Sequence, residues 1–264
     1  MLRLLNQKTR DGHAGGAFRL ALNNRCRKIP KVDLMLDLAR ARNQMVTVQI
    51  ANRGVRDPQV LRAMQRVPRE AFVDSGFEEF AYEDAPLPIG EGQTISQPYI
   101  VALMIEAAEL KPSDRVLEVG TGSGYAAAVI SQIAREVYTI ERHESLGALA
   151  QKRFEKLGYD NIRVRLGDGS QGWPEAAPFD AILVAASGPE VPAALKEQLT
   201  IGGRLVIPVG EHRWGQTMRK LRRIGPTGYE DENLGAVRFV PLVGGCGGEP
   251  DGGVDLPTGS RGAT

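Results

Sequence analysis

Hydrophobic residues recur in two alternating rhythms between residues 33 and 243. The runs Arg115–Val119, Val137–Ile140, Ile162–Leu166, Ala181–Ala185 and Arg204–Pro208 are rich in Val, Ile and Leu and lack a consistent polar face. That pattern predicts strands covered on both sides. The intervening stretches Tyr125–Ala134, Ser145–Leu157 and Val191–Leu199 read as helices. Such alternation predicts an α/β fold, a mostly parallel sheet with helices on both faces. Upstream, Asp33–Asn52 reads as a helix. Pro58–Arg66 reads as a second, with Asp57 as its cap and Pro58 at the first helical position. Tyr99–Glu109 reads as a third. Residues 80–97, with Pro86, Pro88, Gly90 and Gly92, read as a loop, and Met218–Ile224 and Val237–Leu242 are expected to add edge strands.

The two ends differ from this middle. Residues 1–42 carry an excess of Lys and Arg, and Met1–Pro30 shows no sustained hydrophobic periodicity. This part is expected to be an extension without fixed structure, or the product of an early start codon with Met35 or Met45 as later starts. An Arg-rich targeting arm is the alternative, and no apolar segment suggests a secretory signal. Gly244–Thr264 is rich in glycine and is expected to be a flexible tail. The expected organisation is a basic extension at 1–32, one domain at 33–243 and a tail at 244–264. Within the domain, 33–110 would form a helical cap with a loop, and 111–243 the sheet.

Composition narrows the function classes. The chain has 264 residues, 33 Lys plus Arg against 32 Asp plus Glu, and is 42% hydrophobic. That is enough apolar material for a sizeable core. The near-zero net charge of +1 argues against a general nucleic-acid binder, which needs a basic excess to neutralise phosphates. No window approaches the ~18 uncharged apolar residues of a membrane span. Cys26 and Cys246 form no metal or disulfide spacing and read as unpaired thiols of a reducing, cytoplasmic compartment. His13, His143 and His212 lack metal-ligand spacing, so no metal site is expected.

Candidate chemistry gathers at strand ends. Arg115–Val119 runs into Gly120-Thr121-Gly122-Ser123-Gly124, and a helix opens at Tyr125. Glycines let the backbone turn sharply and approach a ligand, and a helix start offers unpaired N–H groups. The pattern is GxGxG, with Tyr125 where a dinucleotide fingerprint has its third glycine. Glu141 follows the second strand, about 20 residues on, where a carboxylate can accept from both ribose hydroxyls. Asp168 and Gly169 follow the third strand, where an acid suits an adenine amino group. A glycine turn with two acids suits S-adenosylmethionine better than NAD, because carboxylates tolerate a sulfonium better than a pyrophosphate. Taken singly, Glu141 could be a solvated strand end and Asp168 a turn former.

Several segments together resemble one family. They are Arg66-Val67-Pro68-Arg69-Glu70-Ala71-Phe72, Pro86-Leu87-Pro88-Ile89-Gly90, Gly92-Gln93-Thr94-Ile95-Ser96-Gln97-Pro98, Leu117–Tyr125, Gly167-Asp168-Gly169 and Gly202–Gly210. Over about residues 35–243 the chain resembles protein-L-isoaspartate O-methyltransferases. The glycine turn is common to most class I methyltransferases, whereas the loop from Pro86 to Pro98 is the specific part. The resemblance implies a Rossmann-like, class I S-adenosylmethionine-dependent fold with an N-terminal helical cap. It implies that the free α-carboxylate of L-isoaspartyl residues in damaged proteins and peptides is methylated, which initiates repair. Ser96 falls on the family's serine, as a positioning group and not a nucleophile; capping the helix at Pro98 is its other reading. The implied cofactor contacts are Thr94, Ile95, Gly120, Thr121, Gly122, Gly124, Glu141, Asp168, Gly169 and Gln216. Ala185-Ala186-Ser187-Gly188-Pro189 departs from the family's Ala-Ala-Pro-Pro run. The competing readings are a class I methyltransferase for a small-molecule carboxylate or other acceptor, and a non-catalytic adenosyl-binding module.

Overall fold

The computed structural model describes residues 31–210 and 215–244. The readings that concern residues 1–30, Cys26, Cys246, His13, His212 and residues 245–264 lie outside the described residues. The first helix, α1, spans Lys31–Gln44 and continues as a wider π turn at Met45–Ile50 and a 3-10 turn at Ala51–Arg53. The single helix expected over Asp33–Asn52 thus changes pitch inside a β-branched run, Val46-Thr47-Val48, whose side chains crowd a helix. The wide turn buries Met45, Val46 and Ile50 and leaves Gln49 to donate to the Tyr82 carbonyl at 3.0 Å. Helix α2, Pro58–Arg66, starts where expected, with the Asp57 carboxylate accepting from the Gln59 N–H at 2.7 Å. Such a cap contributes about 1 kcal/mol. Helix α3, Pro98–Ala107, packs on it, and its Glu106 accepts the Arg56 and Asp57 N–H groups at 2.6 and 2.7 Å.

Residues 80–97 are more ordered than a plain loop. Strands β1, Leu87–Pro88, and β2, Thr94–Ile95, form a short antiparallel hairpin in which Leu87 faces Ile95 and Pro88 faces Thr94. Pro88 cannot donate to a ladder, which fits an edge of two strands and no more.

The main sheet contains β3 (Arg115–Val119), β4 (Glu136–Glu141), β5 (Ile162–Leu166), β6 (Phe179–Val184), β7 (Leu199–Val209), β8 (Gln216–Arg223) and β9 (Tyr229–Val237). Among the described residues its order is β5-β4-β3-β6-β7-β8-β9, parallel through β7 and antiparallel beyond it. Helices α4 (Tyr125–Ser131), α5 (Glu144–Leu157) and α6 (Ala193–Glu197) supply the crossovers. The sheet has apolar cover on both faces. Val116, Val137 and Ala181 face a core shared with α2, α3 and α4, whereas Leu117, Ile140, Ile182 and Leu205 face a second core with Leu195. Double burial explains why β3, β4, β6 and β7 carry no polar alternation. Strand β5, at the sheet edge, differs from the expectation, because Arg163 and Arg165 alternate with its aliphatic residues and it is partly exposed.

One expectation fails at the sheet edge. The last strand is Tyr229–Val237, not Val237–Leu242. Its residues Glu230, Asp231 and Glu232 are exposed, so the segment reads as polar and carries no core-facing signal. Phe239 and Leu242 are buried for another reason. Their segment folds back across the strand ends, with Ser187 N–H donating to the Val240 carbonyl and Leu242 N–H to the Ser187 carbonyl at 2.8 and 2.7 Å.

Arg204 on β7 ties these parts together. Its Nε donates to the Ala108 carbonyl at 2.6 Å, and Nη1 to the Asp180 carbonyl at 3.0 Å. Nη2 donates to the Glu109 carbonyl at 2.7 Å and the Asp114 carboxylate at 2.8 Å. Both charged partners are buried. Removing one member of such a pair strands the other charge, which typically costs about 3–5 kcal/mol. Asp114→Ala is therefore expected to lower the unfolding free energy in urea by about 3 kcal/mol. A loss under about 1 kcal/mol would mean that the carbonyls alone satisfy Arg204.

Candidate active site

The strand order reverses between β3 and β6, the place where open parallel sheets hold ligands beyond their carboxyl ends. A cavity of about 690 Å³ opens there, within the usual range for small-molecule sites. Thr94, Ile95 and Ser96 line one side of it, and Gly120, Thr121, Gly122, Glu141 and Gly169 line it from the sheet.

The turn after β3 keeps its shape through local ties. Gly120 and Thr121 N–H groups both donate to the Ile140 carbonyl, at 2.9 and 3.2 Å. Arg153 of α5 donates to the Ser123 carbonyl at 3.1 Å. Gly124 precedes α4 at φ +90, and a Cβ there would stand 2.7 Å from the Phe154 ring. It does not line the cavity; its role is to let the turn pack on α5. Gly169 serves a close approach of another kind, since a Cβ would lie 2.4 Å from Val119 Cγ1.

Glu141 ends β4 and is 5% exposed. Its Oε1 accepts the Arg142 and His143 N–H groups, each at 2.9 Å, and its Oε2 accepts Gly122 N–H at 2.8 Å. An ionised carboxylate has about four acceptor positions, so acceptor capacity remains on Oε2 at the cavity wall. Asp168 does not line the cavity as Gly169 does. Its Oδ1 accepts Ser170 N–H at 2.9 Å and starts the 3-10 turn Gly169–Gln171. The chain passes close by it again, because a Cβ on Gly244 would stand 2.0 Å from Asp168 Oδ1. Gln216 is not brought to the cavity. Both ends of its buried amide bind Phe239, Nε2 donating to the carbonyl at 3.0 Å and Oε1 accepting the N–H at 2.5 Å. Ser96 is half-buried and does not cap α3; the cap position is Gln97, with no side-chain hydrogen bond.

Sequence reasoning missed three parts of the wall. Val240–Val243 line it, and all but Val243 fall in the segment expected to form an edge strand. Glu91, at the hairpin tip, also lines it; Ser145 Oγ donates to Glu91 Oε1 at 2.6 Å and His143 Nδ1 lies 3.8 Å from Oε2. The third is Glu118, a buried acid inside an otherwise apolar strand, a signal that was legible in the glycine motif. Thr139 Oγ1 donates to Glu118 Oε2 at 2.6 Å, and Thr121 Oγ1 lies 2.6 Å from Thr139 Oγ1. Burial, with the Glu141 charge adding to it, pushes the Glu118 carboxyl up to about 8, against the hydrogen bonds from Thr139 and the Ala127 backbone. At neutral pH the raised value keeps Glu118 protonated, so the charge on this wall is that of Glu141, which disfavours a pyrophosphate. The spare acceptor on Glu141 suits a ribose hydroxyl.

Comparison with known proteins places the chain among relatives of one family. The family model described as Protein-L-isoaspartate(D-aspartate) O-methyltransferase matches residues 40–247. Protein-L-isoaspartate O-methyltransferase 2 of Pelobacter propionicus is 60% identical over 203 residues, covering 77% of this chain and 90% of the relative. The Brucella anthropi protein-L-isoaspartate O-methyltransferase is 57% identical over 210 residues, covering 80% and 96%. A solved protein-L-isoaspartate O-methyltransferase superposes with a TM-score of 0.72 at 31% identity, covering 78% of this chain and 67% of its own. A putative protein-L-isoaspartate O-methyltransferase from Plasmodium falciparum, solved in complex with S-adenosyl-L-homocysteine, gives 0.67 at 26% identity, covering 76% and 98%.

Glu118 makes stability depend on pH in a defined direction. Its carboxyl titrates near 8 in the folded chain and near 4.5 when unfolded, so between these values the folded state holds the extra proton. Stability then falls as pH rises through that window, by about 1.4 kcal/mol per unit at most. Melting Glu118→Gln beside the parent chain from pH 5 to 8 should show the parent losing stability relative to the variant. A constant difference across the range would contradict the raised value.

Proposed function

The chain belongs to the protein-L-isoaspartate(D-aspartate) O-methyltransferase family, and on that premise we propose how its residues carry out the family reaction. The protein transfers a methyl group from S-adenosyl-L-methionine to the free α-carboxylate of L-isoaspartyl residues in damaged proteins and peptides, which initiates their repair. The observation that carries the reading of the site is the joint lining of one cavity. The glycine turn and Glu141 form the sheet side, and Thr94-Ile95-Ser96 forms the flap side.

The fit of the donor rests on this chain's own groups. Glu141 would accept the ribose hydroxyls with the capacity left on Oε2. Gly120, Thr121 and Gly122 bring backbone rather than side chain to the cavity wall, which leaves room for a ligand held at close range. Gly169, adjoining Asp168, lines the base side, and Thr94 and Ile95 cover the ligand from the flap. Gly124 and Gln216 act one step away, by packing the turn on Phe154 and by holding Phe239 at the start of the Val240–Val243 wall. When bound, the donor supplies an electrophilic methyl group, which the acceptor oxygen takes as the carbon–sulfur bond breaks and sulfur keeps the electron pair.

The acceptor needs little activation. An α-carboxylate has a pKa of about 3.5 and is ionised at neutral pH, so no general base is required. Catalysis rests on alignment and on keeping water out, with the reacting atoms about 3–3.5 Å apart. Ser96 is assigned to orient the acceptor carboxylate through its hydroxyl. What supports this is its position on the flap in the cavity lining and its freedom from helix capping. The acceptor peptide would bind extended, through main-chain hydrogen bonds that accept many sequences. Among the described residues no helix is long and apolar enough to cross a membrane. Balanced charge disfavours nucleic acid as acceptor, and the reading of Cys26 and Cys246 as unpaired thiols supports a cytoplasmic site of action.

Two peptides that differ only in an isoaspartyl or a normal aspartyl link test the substrate assignment with labelled S-adenosylmethionine. Label is expected on the isoaspartyl peptide alone; equal labelling, or none, would reject it. Ser96→Ala should lower turnover about tenfold or more, as expected for lost alignment, while adenosylhomocysteine affinity by calorimetry changes less. Unchanged turnover would remove Ser96 from the mechanism.

A further inference from the structure

The segment Arg66–Phe72 has no part in the cavity, yet it carries Arg69, whose side chain is fully buried. Arg69 Nε donates to the Ala81 carbonyl at 2.7 Å and Nη2 to the Ala85 carbonyl at 3.4 Å. Its guanidinium lies 5.0 Å from the centre of the Tyr125 ring. Ala81 and Ala85 are the root of the flap, just before Leu87 opens the hairpin that returns through Ser96. Tyr125 is the first residue of α4 and lines the cavity. One cation therefore spans the distance from the flap root to the donor wall.

Stability alone does not account for an arginine here. Among the described residues its Nη1 has no hydrogen-bond partner, and burial lowers its pKa to about 10. An apolar side chain of similar size would avoid both penalties. Its surroundings are arranged around the same segment. Gln49 donates to the Tyr82 carbonyl, and Arg53 pairs with Asp84. Arg53 also lies 3.6 Å over the ring of Tyr99, in the first turn of α3 where the flap re-enters the fold. Both roots of the flap are thus held by cations from the N-terminal layer.

We propose that Arg69 is a positioning residue for methyl transfer, fixing the Ser96 flap over the donor cavity by tying Ala81 and Ala85 to Tyr125. The inference rests on the reaction assigned above. Because the donor is held mainly from the sheet side, with Thr94 and Ile95 only covering it, a residue that acts through the flap lowers turnover of the acceptor far more than donor affinity, whereas a merely structural one affects both equally or neither.

The test compares Arg69→Met and Arg69→Lys with the parent as full chains whose folding is checked by near-ultraviolet circular dichroism. Arg69→Met should lose about tenfold or more in turnover of an isoaspartyl peptide. Its adenosylhomocysteine affinity should stay within about threefold, a change of ~0.7 kcal/mol. Arg69→Lys, which can still reach one carbonyl, should fall between. Turnover unchanged within about twofold per folded molecule, or donor affinity falling in step with turnover, would overturn the proposal. If Arg69→Met does not fold, Arg69→Lys decides on the same readouts. Hydrogen exchange separates this test from the substrate assignment. Should the parent fail to methylate the peptide, that assignment falls, and exchange over residues 86–97 still decides the role of Arg69. Arg69→Lys should speed exchange there about fivefold or more with β3 unchanged; an unaltered flap would reject it.

Discussion

The carboxylate of Glu141 is drawn out of water at the tip of β4 and held by the backbone N–H groups of Gly122, Arg142 and His143. Those bonds join the end of one strand to the turn after its neighbour. They make the placement of the Gly120–Gly124 turn a consequence of the β3–β4 register, in which Val119 faces Ile140. A carboxylate so held is already oriented and stripped of much of its hydration. A ligand hydroxyl that reaches its remaining acceptor position meets a group that needs no reorganisation. The rest of the site is built outward from this junction. The glycine turn offers backbone, Gly169 closes in on Val119, and Glu118 adds a second buried acid behind the wall.

The second half of the site comes from a different part of the chain. The hairpin Leu87–Ile95 is too small to be stable by itself, so its place over the cavity is imposed from outside. Glu91 ties its tip to Ser145, beside the Glu141 strand end, while Arg69, Arg53 and Gln49 hold its roots. Fixing the flap at both ends suits a reaction whose acceptor is already ionised. With no base to supply, rate depends on the distance and direction from which the acceptor oxygen approaches.

What the sequence made legible follows from how local each feature is. Strands β3 and β5 have the bounds expected of them: in β3 an apolar run buried on both faces announces itself, and in β5, an edge strand, Ile162, Val164 and Leu166 alternate with Arg163 and Arg165. The cap at Asp57 and the glycine turn are likewise written in adjacent residues. The edge strand Tyr229–Val237 was not legible, since an exposed acidic strand is specified by pairing with β8 and not by an apolar pattern. Val237–Leu242 has the apolar pattern of an edge strand, but Phe239 and Leu242 are buried by folding back across the strand ends, and the strand stops at Val237. Gln216 was expected in the site, but its buried amide is spent on Phe239, a tertiary contact that no spacing reveals. Asp168 was read both as a ligand group and as a turn former. Its Oδ1 starts the 3-10 turn, and it adjoins the cavity through Gly169.

A co-crystal of the full chain with S-adenosyl-L-homocysteine tests the central claim most directly, because it reads the Glu141 junction itself. The account predicts the ribose hydroxyls within hydrogen-bond distance, about 2.6–3.0 Å, of the Glu141 carboxylate, with the base toward Gly169 and the sulfur facing Ser96 on the flap. A nucleoside bound elsewhere, or a Glu141 that keeps its backbone partners and touches no ribose oxygen, would contradict it.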